Sequence, residues 1–156
     1  MTSVIELCSD LAEAQFAPGE TLIAEGDPSP GFFVLVSGTV LVRKGDAEIA
    51  RISEPGAVFG EISALLGSRA SASVVAKSAI HALATADGAV YLQENSALAL
   101  HTARLLAERV VQATAYVSDL KAQFPDRADH FGAVEDVLDA LMTDPRARDR
   151  RTTGPR

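Results

Sequence analysis

A chain of 156 residues with 47% hydrophobic and 22% charged side chains is the size of one domain with some extension and too apolar to be wholly disordered. Its formal charge of −7 argues against general nucleic-acid binding by the body of the chain, so DNA binding is not expected. The single Cys8 excludes an internal disulfide framework; with no apolar run near the roughly 18 residues of a membrane span and no signal-like N-terminus, a cytoplasmic, membrane-free chain is expected.

Residues 3–14 place Ile5, Leu7, Leu11 and Ala14 at helical spacing, which predicts a short helix. The texture then changes. Pro18-Gly19, Glu25-Gly26-Asp27, Ser37-Gly38, Lys44-Gly45-Asp46 and Pro55-Gly56 punctuate the chain, and short β-branched runs lie between them at residues 21–24, 32–37, 39–44 and 48–52. Two further runs of this kind follow at 71–76 and 80–85. Turn signals at this spacing predict an antiparallel all-β unit, and a jelly-roll barrel of about eight strands closes it with few exposed edges. The predicted fold is thus mainly β with flanking α. The glycines read as turn residues at positive φ and say nothing direct about a ligand.

From Leu92 the hydrophobic period switches from two to 3.6. Asn95 or Ser96 can cap a helix that runs to about Phe124, where Pro125 stops it. Its apolar and small positions are Ala99, Ala103, Leu106, Val110, Ala113, Val117, Leu120 and Phe124, an uninterrupted heptad seam. The seam predicts a parallel homodimer through Leu106, Val110, Val117 and Leu120, with an intramolecular helix as the alternative. Residues 126–143 carry Val134, Val137, Leu138 and Leu141 on one helical face, and residues 145–156 form a basic tail that reads as solvated. Three segments result: 1–91 as a β-roll with its N-terminal helix, 92–124 as hinge and dimer helix, 125–156 as a short helix and tail.

The chemistry concentrates in one stretch, from Val58-Phe59-Gly60-Glu61-Ile62-Ser63 through Arg69-Ala70-Ser71-Ala72-Ser73-Val74. It reads as a strand end, a glycine, one helical turn opened by an acid, a second glycine and a new strand. A turn of this kind offers free backbone N–H groups to an anion. Glu61 beside those donors suits a ligand that also carries a hydroxyl. Phosphate on amides, sugar hydroxyl on glutamate and an arginine to close the charge describe a ribose cyclic phosphate.

Phe59-Gly60-Glu61-Ile62-Ser63 and the following Ser-Arg-Ala-Ser-Ala-Ser-Val resemble the phosphate-binding cassette of cyclic-nucleotide-binding domains. Such domains occur in catabolite-activator regulators, in regulatory subunits of cyclic-AMP-dependent kinase and in nucleotide-gated channels. The likeness extends from about Phe16 to about Phe124, and Gly19, Gly26, Gly38 and Gly56 fall where that pattern has glycine. The resemblance implies a non-enzymatic sensor of cyclic AMP, with cyclic GMP as the other candidate, that signals to an effector protein by moving its C-terminal helix. It implies ligand contacts at Gly60, Glu61, Ile62, Ser63, Arg69, Ala70, Ser71 and Ala72. The activator branch dimerises through the helix that follows, then continues into a DNA-binding helix-turn-helix. Nothing after Phe124 resembles one, so a stand-alone sensor is expected.

One departure leaves two alignments open. Without a gap, Gly67, Ala72, Ser73, Val74 and Ala76 match the pattern, Ala70 takes the arginine position and Arg69 the proline position before it. A gap restores Arg69 to the phosphate but puts the next strand one residue out of step, turning every side chain to the other face. The departure motivates a second reading, a nucleotide-independent dimerisation or docking module with a degenerate cassette. Other chemistry finds little support. His81, His101 and His130 are too scattered for a metal site, Cys8 has no basic neighbour, and no cofactor fingerprint is present.

Overall fold

The structure, a computed structural model, describes residues 2–123 and divides the chain into two compact units at Arg104 and Leu105. The first unit is built on eight short strands: β1 (Ala12–Phe16), β2 (Thr21–Ile23), β3 (Phe32–Ser37), β4 (Val40–Lys44), β5 (Ala47–Ile52), β6 (Val58–Phe59), β7 (Ser73–Ala76) and β8 (Ile80–Thr85). They form two four-stranded antiparallel sheets, ordered β1-β8-β3-β6 and β2-β7-β4-β5. The expected closed barrel is corrected to this two-sheet roll. The edge strands β1, β6, β2 and β5 do not join across the two sheets.

Strand alternation decides where each apolar side chain goes. Along β3, Phe33 and Leu35 turn to a core cluster shared with Leu22, Ile23, Val40, Phe59, Val74, Ile80 and Ala82, which fills the space between the sheets. Phe32, Val34 and Val36 turn to the opposite face, where Val58, Leu83, Cys8, Leu92 and Leu98 cover them. The first sheet is therefore buried on both faces, which is why β3 reads as a continuous apolar run. Among the described residues the second sheet is covered on one face only.

Two helical expectations change. The predicted helix over 3–14 is only α1 (Val4–Leu7), held by a capping box in which Ser3 Oγ accepts from Glu6 N–H at 3.2 Å and Glu6 Oε2 from Ser3 N–H at 2.7 Å. Residues Ala12–Phe16 instead pair with β8, because an apolar spacing of four satisfies a strand as well as a helix. A second helix, α3 (Gly88–Glu94), starts before Leu92, where the change of period places it, with Asp87 Oδ1 accepting from Val90 N–H at 3.1 Å. Asn95 ends α3 and caps α4 (Ser96–Gln123), its Oδ1 accepting from Leu98 N–H at 3.1 Å. Asn95 Nδ2 donates to the Leu7 carbonyl at 3.0 Å, and Tyr91 Oη, 3.2 Å from that carbonyl, donates its proton to Asp10 Oδ1 at 2.6 Å, tying α1 to the α3–α4 junction. Phe124, the segment 126–143 for which a helix is expected and the basic tail lie outside the described residues. No described helix is long and apolar enough to cross a membrane.

Candidate functional site

The cassette begins where β6 ends. Gly60 adopts φ +84, and a Cβ there would run into the carbonyl oxygen of Gly31, so the position needs glycine for its backbone angle and for its close approach. From Gly60 the chain enters α2 (Glu61–Leu66), a six-residue helix closed by Gly67 in the left-handed region, whose N–H reaches the Ser63 carbonyl at 2.9 Å. Glu61 is 5% exposed, a carboxylate taken almost wholly from water. Ile62, Leu65 and Leu66 face outward, and Ser63 and Ala64 are half-buried. Gly60, Glu61, Ile62 and Ser63 thus come together as the entry turn of α2.

The segment after α2 is fixed by the turn at Glu25–Asp27. Gly26 N–H donates to the Ala70 carbonyl at 2.8 Å, and Ala70 N–H donates to the Asp27 carbonyl at 2.9 Å. Those two bonds leave Ala70 facing inward, 7% exposed, in the core cluster with Phe59, Leu35 and Val74. Arg69 turns the other way; its Nη1 donates to the Gly26 carbonyl at 3.0 Å in an exposed position. Bringing Arg69 inside would break that bond and the paired backbone bonds at Ala70, and would slip β7 against β4, where Val74 sits opposite Val42. Ser71 is exposed and Ala72 half-buried. Ser73 Oγ accepts from Glu25 N–H at 2.9 Å, and Glu25 Oε2 accepts from Gly45 N–H at 2.8 Å, so the same turn also secures the β4–β5 hairpin.

A cleft of about 170 Å³ borders the cassette, lined among others by Pro28, Gly31, Gly60, Ser63, Gly67 and Gly88. Gly88 contributes because a Cβ there would meet Phe32 Cβ at 2.7 Å and Ala64 Cβ at 3.1 Å, so α3 starts flush against α2. Sequence reasoning missed Gly31, Gly88 and the Glu25–Asp27 turn as parts of the site. The Glu-Gly-Asp signal was visible, but its partners in the cassette lie 43 or more residues away. Among the described residues no group of three or more His, Cys, Asp and Glu is placed to hold a metal ion.

Residues 13–90 match the family described as the cyclic nucleotide-binding domain, half of the chain. The chain belongs to that family. The domain is 41% identical over 71 residues to a cAMP-dependent protein kinase regulatory subunit of Hypocrea atroviridis, covering 45% of this chain and 15% of that protein. It is 39% identical over 62 residues to a cGMP-dependent protein kinase of Plasmodium berghei, covering 40% of this chain and 7% of that protein. Among solved structures it is similar to the catabolite activator protein of Thermus thermophilus, with a TM-score of 0.61 and 26% identity over 74% of this chain and 57% of the other. The cyclic nucleotide-binding domain here therefore spans a small fraction of the kinase proteins it matches. Its two-sheet roll and the 28-residue α4 are the architecture shared with the activator.

Proposed function

We propose that the chain is a dimeric, cytoplasmic receptor that binds cyclic AMP in preference to cyclic GMP and signals through its C-terminal helix. The observation that carries the reading is Glu61, buried at the entry turn of α2 beside Gly60. An ionised carboxylate has several acceptor sites, so Glu61 held at this turn can accept from a ribose hydroxyl as well as from the protein. The backbone N–H groups of the same turn, at Ile62 and Ser63, receive the phosphate. Ser71 contributes a hydroxyl near Ala70. Ligand binding would bias α3 and the start of α4, because Gly88 and Ala64 put α3 directly on α2. Such a shift signals only if the two helix positions differ in nucleotide affinity. Glu61→Gln keeps the shape and weakens the acceptor, so cyclic AMP affinity measured by titration should fall about tenfold. An affinity equal to wild type would remove the ribose contact from the reading.

One observation favours a second reading. The inward position after α2 holds Ala70, and the guanidinium of Arg69 is engaged on the Gly26 carbonyl. A phosphate in the roll would then meet backbone and hydroxyl donors without a cation. The second reading keeps the fold and the dimer and makes the chain a nucleotide-independent docking module for an effector protein.

A further inference from the structure

Among the described residues nothing covers the outer face of the second sheet, and that face is chemically unlike the rest of the unit. Val40, Val42, Val74 and Ala76 pack inward, so Leu41, Arg43 and Val75 point outward. In register, Leu41 stands between Arg51 on β5 and Val75 on β7, and Arg43 stands between Glu48 and Ser73. The register shifts between Val42 and Arg43, leaving Ile49 out of the ladder and 57% exposed. This bulge reverses the alternation of β5. Glu48 and Arg51, three residues apart, would face opposite ways on a regular strand; here they share one face and form an ion pair. Lys77 follows β7 directly, its N–H on the Thr39 carbonyl at the start of β4. Arg51, chiefly through its hydrogen bond, lowers the Glu48 carboxyl below its ordinary value, and the charges of Lys77 and Arg43 add to this.

The six cationic side chains as far as Arg104 are Arg43, Lys44, Arg51, Arg69, Lys77 and Arg104, so four of them sit on this face or at its hairpin end in a chain of net charge −7. A cationic rim around the apolar pair Leu41 and Val75 has the layout of a protein contact, with an apolar centre and charges that set orientation. We propose that the outer face of the β2-β7-β4-β5 sheet docks an acidic protein segment that alternates carboxylates with apolar side chains. Its carboxylates pair with Arg43 and Lys77, and an apolar residue covers Leu41 and Val75. Nucleic acid is the poorer occupant, because the outward centre is aliphatic and offers no aromatic platform for bases.

The test uses the full chain and a labelled peptide alternating Glu and Leu, followed by fluorescence anisotropy with a single-stranded oligonucleotide in parallel. Wild type should bind the peptide more tightly than the oligonucleotide, and raised salt should weaken binding. Arg43→Ser with Lys77→Ser should weaken the peptide about tenfold or more at unchanged melting temperature, and Val75→Thr should weaken it as well. Three results would overturn the proposal: no peptide binding by wild type, equal binding by the folded charge variant, or tighter binding of the oligonucleotide.

Discussion

Replacing Ala70 by arginine puts a guanidinium on the inward side of the segment after α2, where the core cluster now holds a methyl group 7% exposed. Without ligand that charge has no counter-ion among its neighbours Phe59, Leu35 and Val74, and leaving a buried charge unpaired costs about 3–5 kcal/mol. The free variant should therefore melt below wild type. A bound cyclic phosphate supplies the missing charge, and a charge-assisted contact contributes about 1.5–3 kcal/mol, or one to two decades of affinity. Ligand should then raise the melting temperature of the variant more than that of wild type. Arg69→Ala is the companion change. It removes only the bond to the Gly26 carbonyl, so nucleotide affinity should stay within about a factor of two of wild type, since the lost bond lies outside the core. Calorimetric titration of wild type and both variants with cyclic AMP measures all three affinities. The reasoning fails if folded Ala70→Arg binds no better than wild type while Arg69→Ala loses a decade or more.

Other consequences are sharper on structure than on ligand. Leu106→Asp with Val117→Asp places carboxylates on the α4 seam and should give monomers by sedimentation with the roll still folded; a dimer of unchanged size would move the interface elsewhere. Thr102 is fully buried and its hydroxyl has no hydrogen-bond partner among the described residues, so Thr102→Val should raise stability by about 1 kcal/mol in urea unfolding, and a loss of stability would reveal a partner. Burial, then the hydrogen bond to Asp10, holds the Tyr91 phenol above its ordinary value. The fold thus favours the neutral phenol, so its contribution is complete below about pH 10 and is lost as the pH rises beyond that. Urea midpoints from about pH 8 to pH 11 should fall less steeply for Tyr91→Phe than for wild type, and equal slopes would contradict the assignment.

The features that the sequence made legible were local ones. Regular glycine punctuation placed β2 to β5, because each turn has its own backbone requirement whatever packs above it. Phe59-Gly60-Glu61 marked the cassette for the same reason: Gly60 needs its positive φ locally. What was illegible depends on distant partners. Residues Ala12–Phe16 become a strand because β8 is there to receive them, and α3 starts at Gly88 because Phe32 and Ala64 leave no room for a side chain. The orientation of residues 69 and 70 was the hardest. One residue of offset is invisible to composition, and it is set by two backbone bonds to a turn more than forty residues earlier in the chain. The bulge at Ile49 was equally hidden, since it shows only once β4 and β5 are paired.

The central claim is that this roll takes a cyclic nucleotide on the turn from Gly60 to Ser63. Isothermal titration of the wild-type chain with cyclic AMP and, separately, cyclic GMP tests it most directly. The account predicts saturable heat with cyclic AMP, weaker binding of cyclic GMP, and an affinity for cyclic AMP that Glu61→Gln lowers about tenfold. Absence of heat and of any thermal shift with either nucleotide at millimolar concentration would contradict it and leave the docking module as the function of the fold.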